Sequence, residues 1–91
     1  YVLALRWTAL DTDAASTFAA GLAFNHARSV DDFLAASADY VAPMQNMVVA
    51  DAQRIAMVAA GRVPLRKPEN DLRGLVPVPG WDPKYDWAGY V

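Results

Sequence analysis

Apolar positions along the chain change their spacing from one stretch to the next, and the changes predict a short succession of elements. Residues 2–8 are mostly apolar, with aromatic and β-branched side chains, and predict a strand that stops at Asp11-Thr12-Asp13. Thr12 or Asp13 offers an N-cap for a helix over 14–26. Phe18 and Leu22 lie on one face of it, and Ala20, Phe24 and Ala27 form a second apolar row. A helix apolar most of the way round predicts cover on several sides. Ser29 offers a second cap, with Asp32 three residues on. Val30, Phe33, Leu34, Ser37 and Val41 then recur at helical spacing until Pro43, which lacks the amide a helix needs. Two apolar runs of strand length follow at 46–51 and 54–60, and the short Asp51-Ala52-Gln53 link predicts an antiparallel hairpin. Beyond Gly61, prolines 64, 68, 77, 79 and 83 predict extended loops in place of regular elements. The class is α+β, in the order β-α-α-β-β followed by a Pro-rich irregular segment. Residues 1–61 carry the elements and 62–91 the tail, within one segment 1–91.

Composition sharpens this picture. The 91 residues are 55% hydrophobic and 20% charged, which excludes a disordered chain. No run approaches the roughly 18 apolar residues of a spanning helix. Cysteine is absent, so no disulfide framework or thiolate metal site is available. Eight basic against ten acidic residues, a net charge of −2, argue against a nucleic-acid or anionic-membrane surface. The apolar content exceeds what a lone small domain usually carries, and both ends are apolar, at Tyr1-Val2-Leu3 and Gly89-Tyr90-Val91. Self-association, or origin as a piece of something larger, is the expectation.

Few residues carry candidate chemistry. His26 is the single histidine and cannot build the common zinc sites alone. Ser16, Ser29 and Ser37 suit caps and helix surfaces better than a triad with it. Asp11, Asp13, Asp31, Asp32, Asp39 and Asp51 sit mostly at helix starts or turns, where they accept from free amides. The glycines are too dispersed to cradle a phosphate. No cofactor or metal is expected. Trp81, Tyr85, Trp87 and Tyr90 predict an aromatic cluster that closes a core or interface. Asn46 opens an otherwise apolar strand after a proline-ended helix. Its carboxamide can satisfy backbone groups at a helix-to-strand junction, the commoner use of Asn, or donate to a developing oxyanion. The residues alone leave both open.

Several pieces occur together in order: Arg6-Trp7-Thr8-Ala9-Leu10, the stretch from Asn25 to Phe33, and Pro43-Met44-Gln45-Asn46-Met47-Val48-Val49-Ala50-Asp51. After them come Gly61-Arg62-Val63-Pro64-Leu65-Arg66, Val76-Pro77-Val78-Pro79-Gly80-Trp81-Asp82 and Tyr85-Asp86-Trp87-Ala88-Gly89-Tyr90. In this order the chain resembles the C-terminal part of the penicillin amidase family, the penicillin, cephalosporin and acyl-homoserine-lactone acylases of the N-terminal-nucleophile hydrolase class. The resemblance implies a four-layer αββα sandwich, of which this chain would form part. It implies hydrolysis of an amide by acyl transfer to an N-terminal serine whose own α-amine is the base. It assigns Asn46 to the oxyanion hole and gives Arg66 a supporting positive charge.

Two departures stand out. The family's Gly-Asn pair after the Ala-Asp is missing from Asp51-Ala52-Gln53-Arg54, which opens the question of the turn type. Tyr1 supplies no nucleophile for this chemistry, so the catalytic serine would lie upstream and these residues alone would be inactive. The expected partners are the rest of the acylase chain and an amide substrate, and the expected location, by resemblance, is the periplasm or outside the cell. The alternative is a non-enzymatic α+β module that self-associates through exposed strand edges.

Overall fold

The computed structural model describes residues 2–11 and 15–91. They form two compact units, one of Trp7–Arg62 and one of residues 2–6 with Val63–Val91. The class is α+β, with two helices and two small antiparallel sheets.

In the unit Trp7–Arg62, a 3-10 turn at Thr8–Leu10 precedes α1 (Ala15–His26), α2 (Val30–Ser37), β1 (Gln45–Ala50) and β2 (Ile55–Ala60). The helix cap expected at Thr12 or Asp13 falls outside the described residues. The cap at Ser29 is present: its Oγ accepts from the Asp32 N–H at 3.1 Å, and an Asp32 carboxylate oxygen accepts from the Arg28 N–H at 3.0 Å. Helices α1 and α2 meet through the stacked rings of Phe24 and Phe33, whose centroids are 4.4 Å apart, with Tyr40 tilted beside Phe24. Only Ala20 of α1 is buried, and Phe18 and Leu22 stand exposed, so the cover expected around this helix is absent within the described residues.

The second helix is shorter than its apolar spacing predicts, ending at Ser37 rather than near Pro43. Val41 is buried at the predicted stripe position, but its N–H donates to Thr17 Oγ1 at 2.9 Å instead of continuing the helix. The hairpin forms as expected, with β1 and β2 antiparallel from Gln45 opposite Ala60 to Ala50 opposite Ile55. One face, with Met47, Val49, Ala56 and Val58, is half-buried, and α2 packs against both strands. The other face is exposed and largely apolar. A strand alternates its side chains between faces, so one run of apolar residues supplies both.

The strand expected over 2–8 is not formed: residues 2–7 have no regular structure and Thr8 begins a 3-10 turn. Val2, Leu3 and Leu5 are 97%, 79% and 75% exposed. A strand exists by ladder pairing, and no described strand pairs with this run.

The tail corrects a second expectation. It contains β3 (Pro64–Arg66), a 3-10 turn at Pro83–Tyr85 capped by Asp82, and β4 (Trp87–Tyr90). Strands β3 and β4 pair antiparallel, Pro64 opposite Tyr90 and Leu65 opposite Gly89, and the Val91 N–H bonds the Val63 carbonyl at 2.9 Å. Pro64 is compatible with pairing because it is the first residue of its strand. Of the predicted aromatic cluster, Trp87 and Tyr90 meet edge to face at 5.9 Å, while Trp81 is 87% exposed and belongs to no cluster. The Arg6 guanidinium instead covers the Trp87 ring, 4.5 Å from its centroid.

Candidate functional site

Asn46 is the second residue of β1, opposite Ala59, on the exposed hairpin face. The same face carries the pairs Val48–Met57 and Ala50–Ile55. Among the described residues its carboxamide has no hydrogen-bond partner, so both of its N–H donors remain unspent. The backbone at Val41 and Ala42, on this helix-to-strand passage, is bonded by other means.

Those means begin with Thr17 on α1. Its hydroxyl oxygen accepts from the N–H groups of both Val41 and Ala42, at 2.9 and 3.2 Å. The Val41 carbonyl accepts from the Arg62 N–H at 2.8 Å, closing the base of the hairpin. Gly61, at φ +136°, lies so near Met44 that a Cβ there would stand 2.8 Å from the Met44 Cα. The strand therefore enters at a fixed height, and Asn46 follows two residues later.

The far end of the hairpin is held by Asp51, which accepts from free amides at the turn as its position predicts. Its Oδ1 accepts from the Gln53 and Arg54 N–H groups at 2.8 and 2.9 Å, and the Asp51 N–H bonds the Arg54 carbonyl at 3.0 Å. Its Oδ2 accepts from the Val30 N–H at 3.0 Å, one of the free amides in the first turn of α2. A carboxylate thus closes a turn without glycine and ties it to the helix. These amides, Val30 first and then Gln53 and Arg54, hold the Asp51 carboxyl below its ordinary 3.8. Arg54 and Asp31 add an exposed ion pair across the same junction.

Arg66 ends β3 opposite Trp87, with a register shift between it and Leu65. It is half-buried, and its guanidinium has no hydrogen bond or ion pair among the described residues. Two other cations of this unit are engaged: Lys67 Nζ donates to the Pro83 carbonyl at 2.6 Å, and Lys84 pairs with Asp71 at 3.5 Å. Asn46 and Arg66 belong to different units.

The remaining candidates lie apart, and Ser16 Oγ is buried with no hydrogen-bond partner among the described residues. His26 is exposed in the last turn of α1, Ser29 is a cap, and Ser37 Oγ donates to the Leu34 carbonyl at 2.7 Å. No group of three potential metal-ligating side chains occurs among the described residues, and no described helix is long and apolar enough to cross a membrane. Sequence reasoning missed Thr17, which lies inside an unremarkable helical run, and Asn70, whose neighbours give no periodic signal.

A hairpin packed on α2 thus carries an amide on its exposed face. The chain belongs to the penicillin amidase family, whose profile matches residues 1–91. It is 34% identical over 87 residues to the acyl-homoserine lactone acylase QuiP of Pseudomonas aeruginosa, covering 96% of this chain and 10% of that protein. It is 40% identical over 89 residues to QuiP of Pseudomonas fluorescens, covering 98% of this chain and again 10% of the relative. QuiP of Pseudomonas syringae is 50% identical over 46 residues, half of this chain. The chain thus spans about a tenth of the length of these curated relatives. No solved structure matches.

Proposed function

We propose that this chain is a segment of an acylase that hydrolyses an amide by acyl transfer, and that its Asn46 side chain donates to the oxyanion. The observation that carries the reading is the unspent Asn46 carboxamide on a paired, doubly anchored strand. In this mechanism the N-terminal serine nucleophile comes from outside these residues, and its α-amine, with a pKa of about 8, takes the hydroxyl proton. Attack moves negative charge onto the carbonyl oxygen. A donor already fixed in place stabilises that charge without reorganising at the moment of reaction. Arg66 has a supporting role, because its permanent charge is not neutralised by any described neighbour. The names of the relatives favour an acyl-homoserine lactone or similar amide as substrate.

The test is Asn46→Ala in a full-length acylase carrying this segment. Loss of one oxyanion donor lowers kcat by about 10²–10³, with KM little changed. An unchanged kcat refutes the assignment. The 91 residues alone are expected to hydrolyse nothing, and amide turnover by the purified chain would contradict the missing nucleophile.

The remaining chain supplies the second layer of the αββα sandwich over the Asn46 face, where Val48, Ile55 and Met57 are 69%, 75% and 69% exposed. Separated from it, the chain self-associates through this face. A folded monomer in dilute sedimentation runs would count against that. Location in the periplasm or outside the cell goes with the family reading. The family and its relatives do not favour a non-enzymatic assembly module.

A further inference from the structure

We propose that the turn at residues 72–75, pinned by Asn70, positions the Arg66 guanidinium; this rests on the reading of Arg66 given above. Arg66 is half-buried and no described hydrogen bond or ion pair fixes its flexible stem. What meets its head is backbone. A Cβ at Gly74 would touch Nη2 and stand 2.6 Å from Cζ and 2.7 Å from Nη1. Only a glycine leaves room for the planar group there, and any Cβ at this position would have to displace it.

The turn that presents Gly74 is itself specified. The Leu75 N–H bonds the Leu72 carbonyl at 3.0 Å, and both central residues have positive φ, 50° at Arg73 and 76° at Gly74. Glycine accepts that conformation freely, whereas Arg73 is held in it against the usual preference. The hold comes from Asn70, which is 3% exposed and whose Oδ1 accepts from the Arg73 N–H at 2.7 Å. The Asn70 N–H in turn bonds the Lys67 carbonyl at 3.0 Å, one residue beyond Arg66. Two turns thus fold back on the strand end and place Gly74 against the guanidinium. Asn70 and Gly74 are positioning residues.

The test uses a full-length acylase carrying this segment, with Gly74→Asn, Gly80→Ala, Arg66→Lys and the pair Gly74→Asn with Arg66→Lys. Asn tolerates left-handed backbone, so it adds a Cβ without breaking the turn. A Cβ at Gly80 meets nothing within 4 Å and serves as the control. In a crystal structure of Gly74→Asn the guanidinium is expected to move by about 1 Å or more with the β3–β4 register kept, and kcat to fall about tenfold with KM within about twofold. Gly80→Ala changes neither. In the Arg66→Lys background, Gly74→Asn is expected to cost nothing further. If Gly74→Asn does not fold, Asn70→Ala carries the same expectation, and Asn70→Asp, which keeps the acceptor for the Arg73 N–H, restores the position. A guanidinium that stays in place, or losses from Gly74→Asn and Arg66→Lys that multiply, overturns the proposal. If Arg66→Lys leaves kcat unchanged while Gly74→Asn still displaces the guanidinium, the positioning stands and the catalytic reading of Arg66 falls.

Discussion

Asn46 stands on a strand whose residues all have cross-strand partners, from Gln45 opposite Ala60 to Ala50 opposite Ile55, with a helix layer behind. Arg66 ends a three-residue strand whose register slips beside it, and turns rather than a ladder back its side chain. The short amide needs only its strand to be fixed, since few rotatable bonds separate it from the backbone. The long guanidinium needs its head fixed as well, because its stem has many rotamers. The two side chains are therefore placed differently: Asn46 by the ladder and anchors around its strand, Arg66 by the turns around its head.

The largest effect is expected at the amide. Asn46→Ala is expected to cost more of kcat than Arg66→Lys in a full-length acylase, because it removes the donor while the lysine keeps the charge. Equal losses would place the two groups on the same footing. Next in size is the anchor: Thr17→Val leaves two nearly buried N–H groups without an acceptor, and is expected to cost about 1–3 kcal/mol. A lower urea midpoint at unchanged slope checks it.

The two units should also respond at opposite ends of the pH scale. Asp51 is held below 3.8 by the Val30, Gln53 and Arg54 amides, and Asp32 by the Arg28 amide and then the Ser29 side chain. Stabilisation of this kind is present above the ordinary carboxylate value and is lost as pH falls through the lowered one. Lys84 is raised above 10.5, by Tyr85 first and then Asp71, so its contribution is present below that value and lost as pH rises through the raised one. Acid should shift the Val30, Gln53 and Arg54 amide NMR signals before the Trp87 indole signal, and alkali should reverse the order. A single joint transition at either end would merge the units. The smallest effect belongs to Arg54→Ala, which removes an exposed pair with Asp31 and should change stability by about 0–1 kcal/mol in a thermal melt.

Periodicity, caps and proline carried much of the fold, because they act over a few residues. The Ser29 cap, the helical stripe from Val30 to Ser37 and the hairpin runs all formed where local pattern places them. The run at 2–8 has the same local character as β1 yet forms no strand, since pairing needs a neighbour that pattern cannot supply. The paired tail strands were hidden for the converse reason: Pro64 marks a break locally and is harmless at a strand start. At the candidate site, the identity of Asn46 was legible through its place among ordered motifs. Local pattern already contains the residue types, the helix spacing and the alternation that puts Asn46 on one strand face. Folding added that this face is exposed, that Asp51 ties its turn to the start of α2, and that Gly74 lies against the Arg66 guanidinium. The Asp51–Val30 bond joins residues 21 apart, and Gly74 meets Arg66 across a strand end and two turns; no local pattern fixes such approaches.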